Sequence, residues 1–327
     1  MLKQKYFLAD IFILSAEKQP IKLSWRKIEW LLVILLIILV GGEFALRHFI
    51  GLTQAPLYFE SDKYEYMACP NQDGYRFGNH YHYNSFSQRS EEPDTTKRIV
   101  LGLGDSVIFG GVQTDQDNLA TTRFTEETGM QMLNISAGSW GPDNCAAYLK
   151  EKGLFHAEAM FLLVSSHDAH DNMTFEPVVG IHPSYPKEHY KLAYWELLDR
   201  YVLPRIFKKK RKKLDPDQQV NAGTGVDIKK DGKFFNPGFE LLRMMADSAG
   251  IPLIVYLHAD AKELQNGKYN EQGEEIMAWA KKNQVPLICE LEYKFTPDEY
   301  RDGIHLNEKG QRKLAEIMIK IIPQYLK

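Results

Sequence analysis

The sequence predicts an α/β fold in which helices cover both faces of a parallel sheet. Five short apolar runs alternate with segments of helical spacing, and this alternation is typical of parallel strands joined by right-handed crossovers. The chain has 327 residues, of which 44% are hydrophobic, so a full core is possible. A longer apolar stretch near the N-terminus is of another kind and predicts a membrane helix.

The predicted elements follow one another in a regular order. Strands are expected at residues 99–103, 131–136, 159–164, 252–257 and 286–291, and helices at residues 118–128, 143–152, 236–249, 271–282 and 307–322. Asp143 is expected to cap the second of these helices, and Gly129, Gly153 and Gly250 are expected to end the first three.

The predicted membrane helix is centred on the uninterrupted apolar residues 30–42. This core would reach only about 20 Å, short of a hydrocarbon layer about 30 Å thick, so the span is extended to residues 28–50. Glu43 then lies one turn before Arg47 and can pair with it. A cleaved signal peptide and a buried core helix remain alternatives, but the long preceding region and the poor cleavage site disfavour the former.

Charge asymmetry predicts the orientation of this helix. The basic residues nearest to it are Lys18, Lys22, Arg26 and Lys27 on one side and Arg47 on the other. The positive-inside rule then makes residues 1–27 a cytoplasmic tail and places the large domain outside the cytoplasm.

Two segments interrupt the regular pattern. Residues 51–97 are expected to be a linker or accessory segment, in which residues 81–87 form a strand or a lid. His80 and His82 would share one strand face, as surface residues or as metal ligands without a clear third partner. Residues 171–233 are an expected insertion, with a helical pattern that Pro204 ends and a basic run at residues 208–213. That run is either a solvated loop or a contact for anionic headgroups or an acidic polymer.

Two short motifs carry the candidate chemistry. Gly104-Asp105-Ser106 follows the first strand, at the sheet edge where open α/β sheets bind ligands. Ser106 is therefore a candidate nucleophile, although a helix-cap role is open. Asp302-Gly-Ile-His305 precedes the last helix, and an acid three residues before a histidine can orient its ring for proton transfer.

These motifs, in this order, resemble those of the SGNH hydrolases, also called GDSL esterases and lipases. The resemblance covers about residue 98 to the C-terminus and implies a three-layer α/β/α, flavodoxin-like fold with a five-stranded parallel sheet. It implies acyl transfer with Ser106 as nucleophile, His305 as base and Asp302 as the orienting acid, and no cofactor. The implied oxyanion donors are the N–H of Ser106, Gly141, and an asparagine after the third strand.

The third donor is where this chain departs from the family pattern. His167 stands in place of the asparagine; an imidazole N–H can also donate, with a different reach and protonation. His167, His170 and Asp171 also suggest a metal site, but their position directly after a strand disfavours it, and no metal is predicted.

Ser139, in Ala-Gly-Ser-Trp-Gly, is a rival nucleophile that resembles the elbow of α/β-hydrolases. Ser106 is preferred because no separate acid accompanies Ser139.

Family and topology together imply a substrate class. The expected function is an esterase or O-acyltransferase acting on acyl esters, such as acetyl esters, of cell-surface polysaccharide. The alternative is a non-catalytic polysaccharide-binding module, which His167 favours. A net charge of -3 argues against a nucleic-acid partner. Three cysteines cannot form a complete disulfide framework, and no residue indicates an oligomeric state.

Overall fold

A computed structural model describes residues 24–206, 228 and 230–326. The chain divides into two compact units, residues 1–42 and residues 43–327. The predicted basic run at residues 208–213 and most of the predicted cytoplasmic tail lie outside the described residues.

The strands and helices alternate as the sequence predicts. The strands are β1 Tyr58–Ser61, β2 Glu65–Ala68, β3 Gln72–Arg76, β4 Asn79–Tyr83, β5 Ile99–Gly104, β6 Gln131–Ser136, β7 Ala159–Ser165, β8 Leu253–His258 and β9 Leu287–Cys289. The α-helices are α1 Trp25–Ile50, α2 Ser106–Phe109, α3 Ala120–Thr128, α4 Pro142–Lys152, α5 Ala193–Glu196, α6 Leu203–Ile206, α7 Gly238–Ala249, α8 Ala261–Asn266, α9 Glu271–Lys282 and α10 Glu308–Ile321.

The central sheet has five parallel strands in the order β6-β5-β7-β8-β9. The chain moves outward from β5 to β6 and then returns past β5 to β7, so the strand order reverses between β5 and β7. In open α/β sheets such a reversal leaves a crevice beyond the carboxyl ends of the two strands, and ligands bind there. The predicted α/β fold with a five-stranded parallel sheet is confirmed.

Alternate residues of the strands pack into two separate cores. Leu101 of β5 and Leu162 of β7 belong to the core that includes α4, α7 and α9. Val100 and Phe161 belong to the core that includes α3 and α10. Because a strand places successive side chains on opposite faces, these two cores lie on the two sides of the sheet and make a three-layer domain.

Residues 51–97 form two antiparallel hairpins, β1-β2 and β3-β4. They belong to the same compact unit as the sheet. The indole N–H of Trp140 donates to the carbonyl of Tyr66 at 2.9 Å, and the N–H of Arg89 donates to the carbonyl of Asn134 at 3.0 Å. The segment is thus an accessory layer packed beside β6 rather than a free linker.

Helix α1 is long and apolar, and none of its residues is buried. A buried core helix is therefore excluded for this segment. It has the length and hydropathy of a membrane span, by composition alone, and such a test also admits a signal sequence. Glu43 and Arg47 pair at 2.7 Å, as predicted.

Two predicted helix boundaries are wrong. Asp143 does not cap α4, because Gly141 is the capping residue and Pro142 begins the helix. The fixed φ of proline suits the first helical position. Pro204 does not end the helical segment of the insertion: a π-helical stretch, Leu197–Val202, runs directly into α6, which contains Pro204. Proline has no N–H to donate, but Pro204 lies just after the π-helical stretch, where the helical hydrogen-bond pattern already changes.

Candidate active site

Ser106 lies at the crevice where the strand order reverses. It is the first residue of α2, directly after β5 and Asp105, and its side chain is half-buried. Gly104, with φ at +153°, would bring a Cβ to 2.5 Å from the carbonyl oxygen of Leu163 on β7. Glycine is required there because the chain turns tightly against the neighbouring strand. The carboxylate of Asp105 accepts the N–H of Val107 at 2.8 Å and so begins the helix.

The structure brings Ser106, His305 and Asp302 together. The Nε2 atom of His305 lies 2.9 Å from the Oγ of Ser106, across 199 residues of sequence. The Nδ1 atom of His305 lies 2.9 Å from each carboxylate oxygen of Asp302. This is the geometry in which an acid fixes the imidazole tautomer and leaves Nε2 to accept the serine proton.

The environment of Asp302 keeps it ionised. Burial raises its pKa, but the imidazole of His305 and the backbone N–H groups of Ile304 and His305 outweigh burial and hold the pKa well below the usual range. Those two N–H groups donate to Oδ1 at 3.0 and 2.8 Å. A carboxylate that accepts several N–H donors favours its charged form, so Asp302 faces His305 as an anion.

His167 lies beyond the carboxyl end of β7, in the short 3-10 turn Ser166–Ala169. Its Nε2 atom is 3.7 Å from Asp105 and 3.8 Å from Asp171, and its side chain is 42% exposed. Burial lowers the pKa of His167, but the surrounding carboxylates, Asp168 first among them, outweigh burial and raise it to about 9. The imidazole is therefore a cation at neutral pH.

Two of these carboxylates, together with His167, are also candidate metal ligands. One ligand atom each from Asp105, His167 and Asp168 lies within 4.8 Å of the others, a spacing that could hold an ion. A metal needs a neutral imidazole, so the proton on His167 and a cation would compete for this position. His170 contacts Glu275 at 2.7 Å. The absence of a metal remains a prediction.

The carboxyl group of Asp168 is deeply buried. One oxygen accepts the N–H of Ser165 at 2.7 Å, and the other has no hydrogen-bond partner among the described residues. Burial raises the pKa of Asp168 well above its usual value. The charge of His167 opposes this rise, and the imidazole of His167 also lies 3.7 Å from Asp105.

The geometry at Gly141 disagrees with its predicted role as an oxyanion donor. Its N–H donates to the side chain of Asn144 at 2.8 Å, as part of the cap of α4. A Cβ at this position would overlap the carbonyl oxygen of Asp171, so packing requires the glycine. The bond to Asn144 leaves Gly141 no N–H for an oxyanion.

Gly138 fits the donor role better. It follows β6 by two residues and is half-exposed, and within the described part of the chain its N–H meets no acceptor. The hydroxyls of Tyr66 and Tyr185 both donate to its carbonyl at 2.8 Å and hold the residue in place. In sequence, Gly138 and Gly141 both follow the second strand, and only the contacts separate them.

The rival serine, Ser139, is not joined to the base. It adopts φ of 59° and directly follows Gly138, whose carbonyl accepts the hydroxyl of Tyr185. The imidazole of His305 is directed at Ser106 instead. The pair of histidines on β4 also faces another group: His80 and His82 contact Asp73 at 3.1 and 3.0 Å.

Sequence reasoning missed Arg89, which supports the segment after Ser106. Its guanidinium is buried and donates to the carbonyls of Phe109, Gly111 and Thr114 at 2.7, 2.5 and 2.7 Å. These bonds fix the chain just beyond α2. An arginine in a polar, non-periodic stretch is expected to be exposed, and no pattern in the sequence indicates that carbonyl groups would enclose it.

No family model matches the chain, and no curated protein matches it. Among solved structures, a member of the lipolytic protein G-D-S-L family from Veillonella parvula DSM 2008 is similar, with 12% identity and a TM-score of 0.39, covering 69% of this chain and 99% of that one. TesA is similar with 13% identity and a TM-score of 0.41, covering 70% and 100%. The psychrotrophic esterase EstA from Pseudoalteromonas sp. is similar with 12% identity and a TM-score of 0.38, covering 70% and 98%. Likeness this weak carries no argument about function. The function is therefore argued from the geometry.

Proposed function

We propose that this protein is a serine esterase or O-acyltransferase that acts through an acyl-Ser106 intermediate. The observation that carries the proposal is the unbroken line of contacts from Ser106 through His305 to Asp302. A weakly nucleophilic hydroxyl becomes effective when a positioned base takes its proton. The contacts supply that base and the anion that orients it.

The chemistry balances within these three residues and an ester. The Oγ of Ser106 attacks the ester carbonyl while its proton passes to Nε2 of His305. When the tetrahedral intermediate collapses, the bond to the leaving alcohol breaks, and His305 returns the proton to that alcohol. Water or a sugar hydroxyl then attacks the acyl-serine and loses its proton to His305. As the bond between the acyl carbon and Oγ breaks, His305 returns that proton to Ser106 and the site is restored.

Three donors are proposed for the developing oxyanion. The N–H of Ser106 is at the free start of α2 and, among the described residues, meets no acceptor. Gly138 offers a second backbone N–H, and His167 offers the third donor in place of the family asparagine. A cationic imidazole gives a charge-assisted hydrogen bond, which is stronger than one from a neutral amide. The departure at His167 is thus compatible with catalysis.

The proposed location is a membrane anchor with the catalytic domain outside the cytoplasm. Its support is the unburied apolar helix α1 and the lysine and arginine excess on its N-terminal side. Near the end of the apolar stretch, Glu43 accepts the N–H of Ala193 at 2.8 Å. Leu192 and Trp195, on either side of Ala193, expose 56% and 54% of their surfaces. An exposed tryptophan suits the headgroup region of a bilayer.

The proposed substrate class is an acyl ester of cell-surface polysaccharide. It follows from the family resemblance and the proposed side of the membrane. A non-catalytic binding module is the competing function, and it predicts no covalent chemistry at Ser106.

Covalent labelling tests the proposal. The full chain, purified in detergent, should react with a fluorophosphonate, and mass spectrometry should locate the adduct on Ser106. Ser139→Ala is the matched control and should label as the parent does, whereas Ser106→Ala should not label. An adduct on Ser139 would show that Ser139, and not Ser106, is the nucleophile. No adduct together with no ester turnover would favour the binding module.

A further inference from the structure

The loop that carries Asp302 and His305 is bonded to a second histidine, His258. His258 is the last residue of β8, and its side chain is completely buried. Its Nε2 atom lies 2.7 Å from the carbonyl oxygen of Ile304, the residue directly before His305. A carbonyl oxygen can only accept, so Nε2 of His258 carries a proton.

The other ring nitrogen of His258 faces a buried acid. Its Nδ1 atom lies 2.6 Å from the carboxylate of Glu290. The hydroxyl of Tyr256 donates to the same carboxylate oxygen at 3.0 Å, and the hydroxyl of Tyr300 lies between the other oxygen and the carbonyl of Ala259. The contact between Nδ1 and Glu290 has the geometry of an ion pair. Nδ1 is therefore assigned a proton as well, and His258 is an imidazolium.

The groups that face His258 keep this charge in place. Burial lowers the pKa of His258, but Glu290, the Ile304 carbonyl and the more distant carboxylate of Asp105 outweigh burial and raise it above the usual value. The ring of Tyr300 stacks on the imidazole at 5.6 Å. Burial first, and Glu290 second, raise the pKa values of Tyr256 and Tyr300, so both phenols stay neutral.

Most bonds of this loop are internal. The N–H of Arg301 donates to the carbonyl of His305 at 2.8 Å, and Asp302 accepts N–H groups of Ile304 and His305. From outside the loop, the N–H of Ala261 donates to the carbonyl of Gly303 at 2.9 Å, and His258 holds the next carbonyl, that of Ile304. The bond from His258 ties the peptide before His305 to the central sheet, the same sheet whose β5 strand positions Ser106.

We propose that His258, paired with Glu290, is a positioning residue that fixes the peptide before His305 and thereby sets the distance from His305 to Ser106. The inference rests on the proposed function, since it concerns the same base. A charge-assisted bond resists displacement better than a neutral one. Misplacement of a reacting group by about 1 Å can cost about 100-fold in rate, so this bond has a large effect on turnover.

Three variants of the full chain in detergent test the proposal through ester turnover. Glu290→Gln keeps the shape of the cluster but removes the anion, and kcat should fall about tenfold. His258→Phe removes the bond to Ile304, and kcat should fall about 100-fold. In both variants KM should change less than about threefold, because His258 does not touch the substrate. Tyr256→Phe is the matched control: it removes a donor to Glu290 and no bond to the loop, so its kcat should stay within about threefold of the parent.

Nitrogen-15 NMR of histidine-labelled protein provides the second measurement. In the parent at pH 7, both ring nitrogens of His258 should be protonated. Removing one partner of a buried ion pair is strongly destabilising, so if His258→Phe does not fold, Glu290→Gln carries the test. A neutral His258 in the parent would overturn the proposal. A loss of kcat in Tyr256→Phe as large as that in His258→Phe would also overturn it, and Glu290→Gln takes the place of His258→Phe in this comparison if the latter does not fold.

A failure of the proposed function would look different. If the parent hydrolyses no ester and takes no phosphonate label, the esterase assignment fails. The positioning inference is then decided by the ring resonances of His305, which should shift in Glu290→Gln and stay unchanged in Tyr256→Phe. Unchanged His305 resonances in both variants would overturn it.

Discussion

At the scale of single residues, the proposed chemistry depends on the hydrogen bond between Ser106 and His305. Their side chains act as one unit, because the serine is useful only when the histidine takes its proton. His305 in turn depends on Asp302 for its tautomer. His167 adds a cation next to Asp105, the residue directly before Ser106. Each of these residues has a distinct expected effect on turnover.

Alanine changes at Ser106 and His305 should be strongly non-additive. Either single change should remove nearly all ester turnover, and the double change should cost little more, since neither group acts without the other. Asp302→Ala should leave more residual activity, because the basic nitrogen of His305 remains. Steady-state kinetics with an aryl acetate measures all four variants. An undiminished Ser106→Ala would contradict the assignment of the nucleophile.

His167 should give the turnover a dependence on pH. Its pKa is raised to about 9, so the imidazole is charged below that value and loses a proton, and with it part of its donor strength, as pH rises through it. We expect the turnover of the parent to fall in this range. The same raised pKa means that the contribution of His167 to folding stability is fully present below its unfolded pKa and is lost as pH rises through about 9.

Substitutions at His167 check its role as a donor. His167→Asn should retain most of the turnover, because an amide N–H still donates, and should lose the decline near pH 9, because an amide does not titrate. His167→Ala should lower kcat by about 100- to 1000-fold, the usual cost of one oxyanion donor, without unfolding the protein. If neither change affects turnover, His167 donates nothing to the oxyanion.

At the scale of elements, the site depends on the turns at the carboxyl ends of the central strands. After β5 the chain turns at Gly104 into α2, and after β7 it turns into the 3-10 segment that holds His167. The loop after β6 contains two glycines with different tasks: Gly141 belongs to the cap of α4, whereas Gly138 lies half-exposed at the sheet edge.

Gly141→Ala should therefore affect stability more than catalysis. The new Cβ would overlap the backbone of Asp171, and such overpacking costs about 1–3 kcal/mol. For a domain of this size, that corresponds to a fall in the thermal midpoint of about 2–12 °C. The kcat of the folded fraction should stay within about threefold of the parent. A loss of kcat with an unchanged midpoint would restore Gly141 as the donor.

At the scale of the whole molecule, topology decides which substrates the site can meet. The apolar segment ends close to Glu43, which contacts Ala193 of the insertion. If α1 spans the bilayer, the domain that begins at Glu43 stays near the membrane surface. The proposed esterase chemistry would then act on material at the cell surface.

A reporter fused after Lys327 tests this topology. An alkaline phosphatase fusion, active only outside the cytoplasm, should be active, and a β-galactosidase fusion at the same position should be inactive. The reverse pattern would place the domain in the cytoplasm. Removing residues 24–50 should release the phosphatase fusion from the membrane fraction if the helix is the anchor.

The sequence by itself determined the sheet and predicted the candidate catalytic residues. Apolar runs of strand length, the first of them ended by glycine, identify β5, β6 and β7 because a buried parallel strand has few other compositions. The sequence predicted Ser106 because it directly follows the first strand of the sheet. It predicted Asp302 and His305 because an acid three residues before a histidine precedes the last helix. Their contact at 2.9 Å agrees with that prediction.

Only the tertiary structure decided the contacts that depend on distant parts of the chain. Whether Gly138 or Gly141 has a free N–H depends on Asn144 and on the backbone of Asp171. The charge of His167 depends on several carboxylates gathered around it, and that of His258 on Glu290 in another element. Arg89 is buried because three carbonyl groups of a later loop enclose it. Local periodicity cannot report these features, because burial and electrostatics are set by neighbours in space rather than by neighbours in sequence.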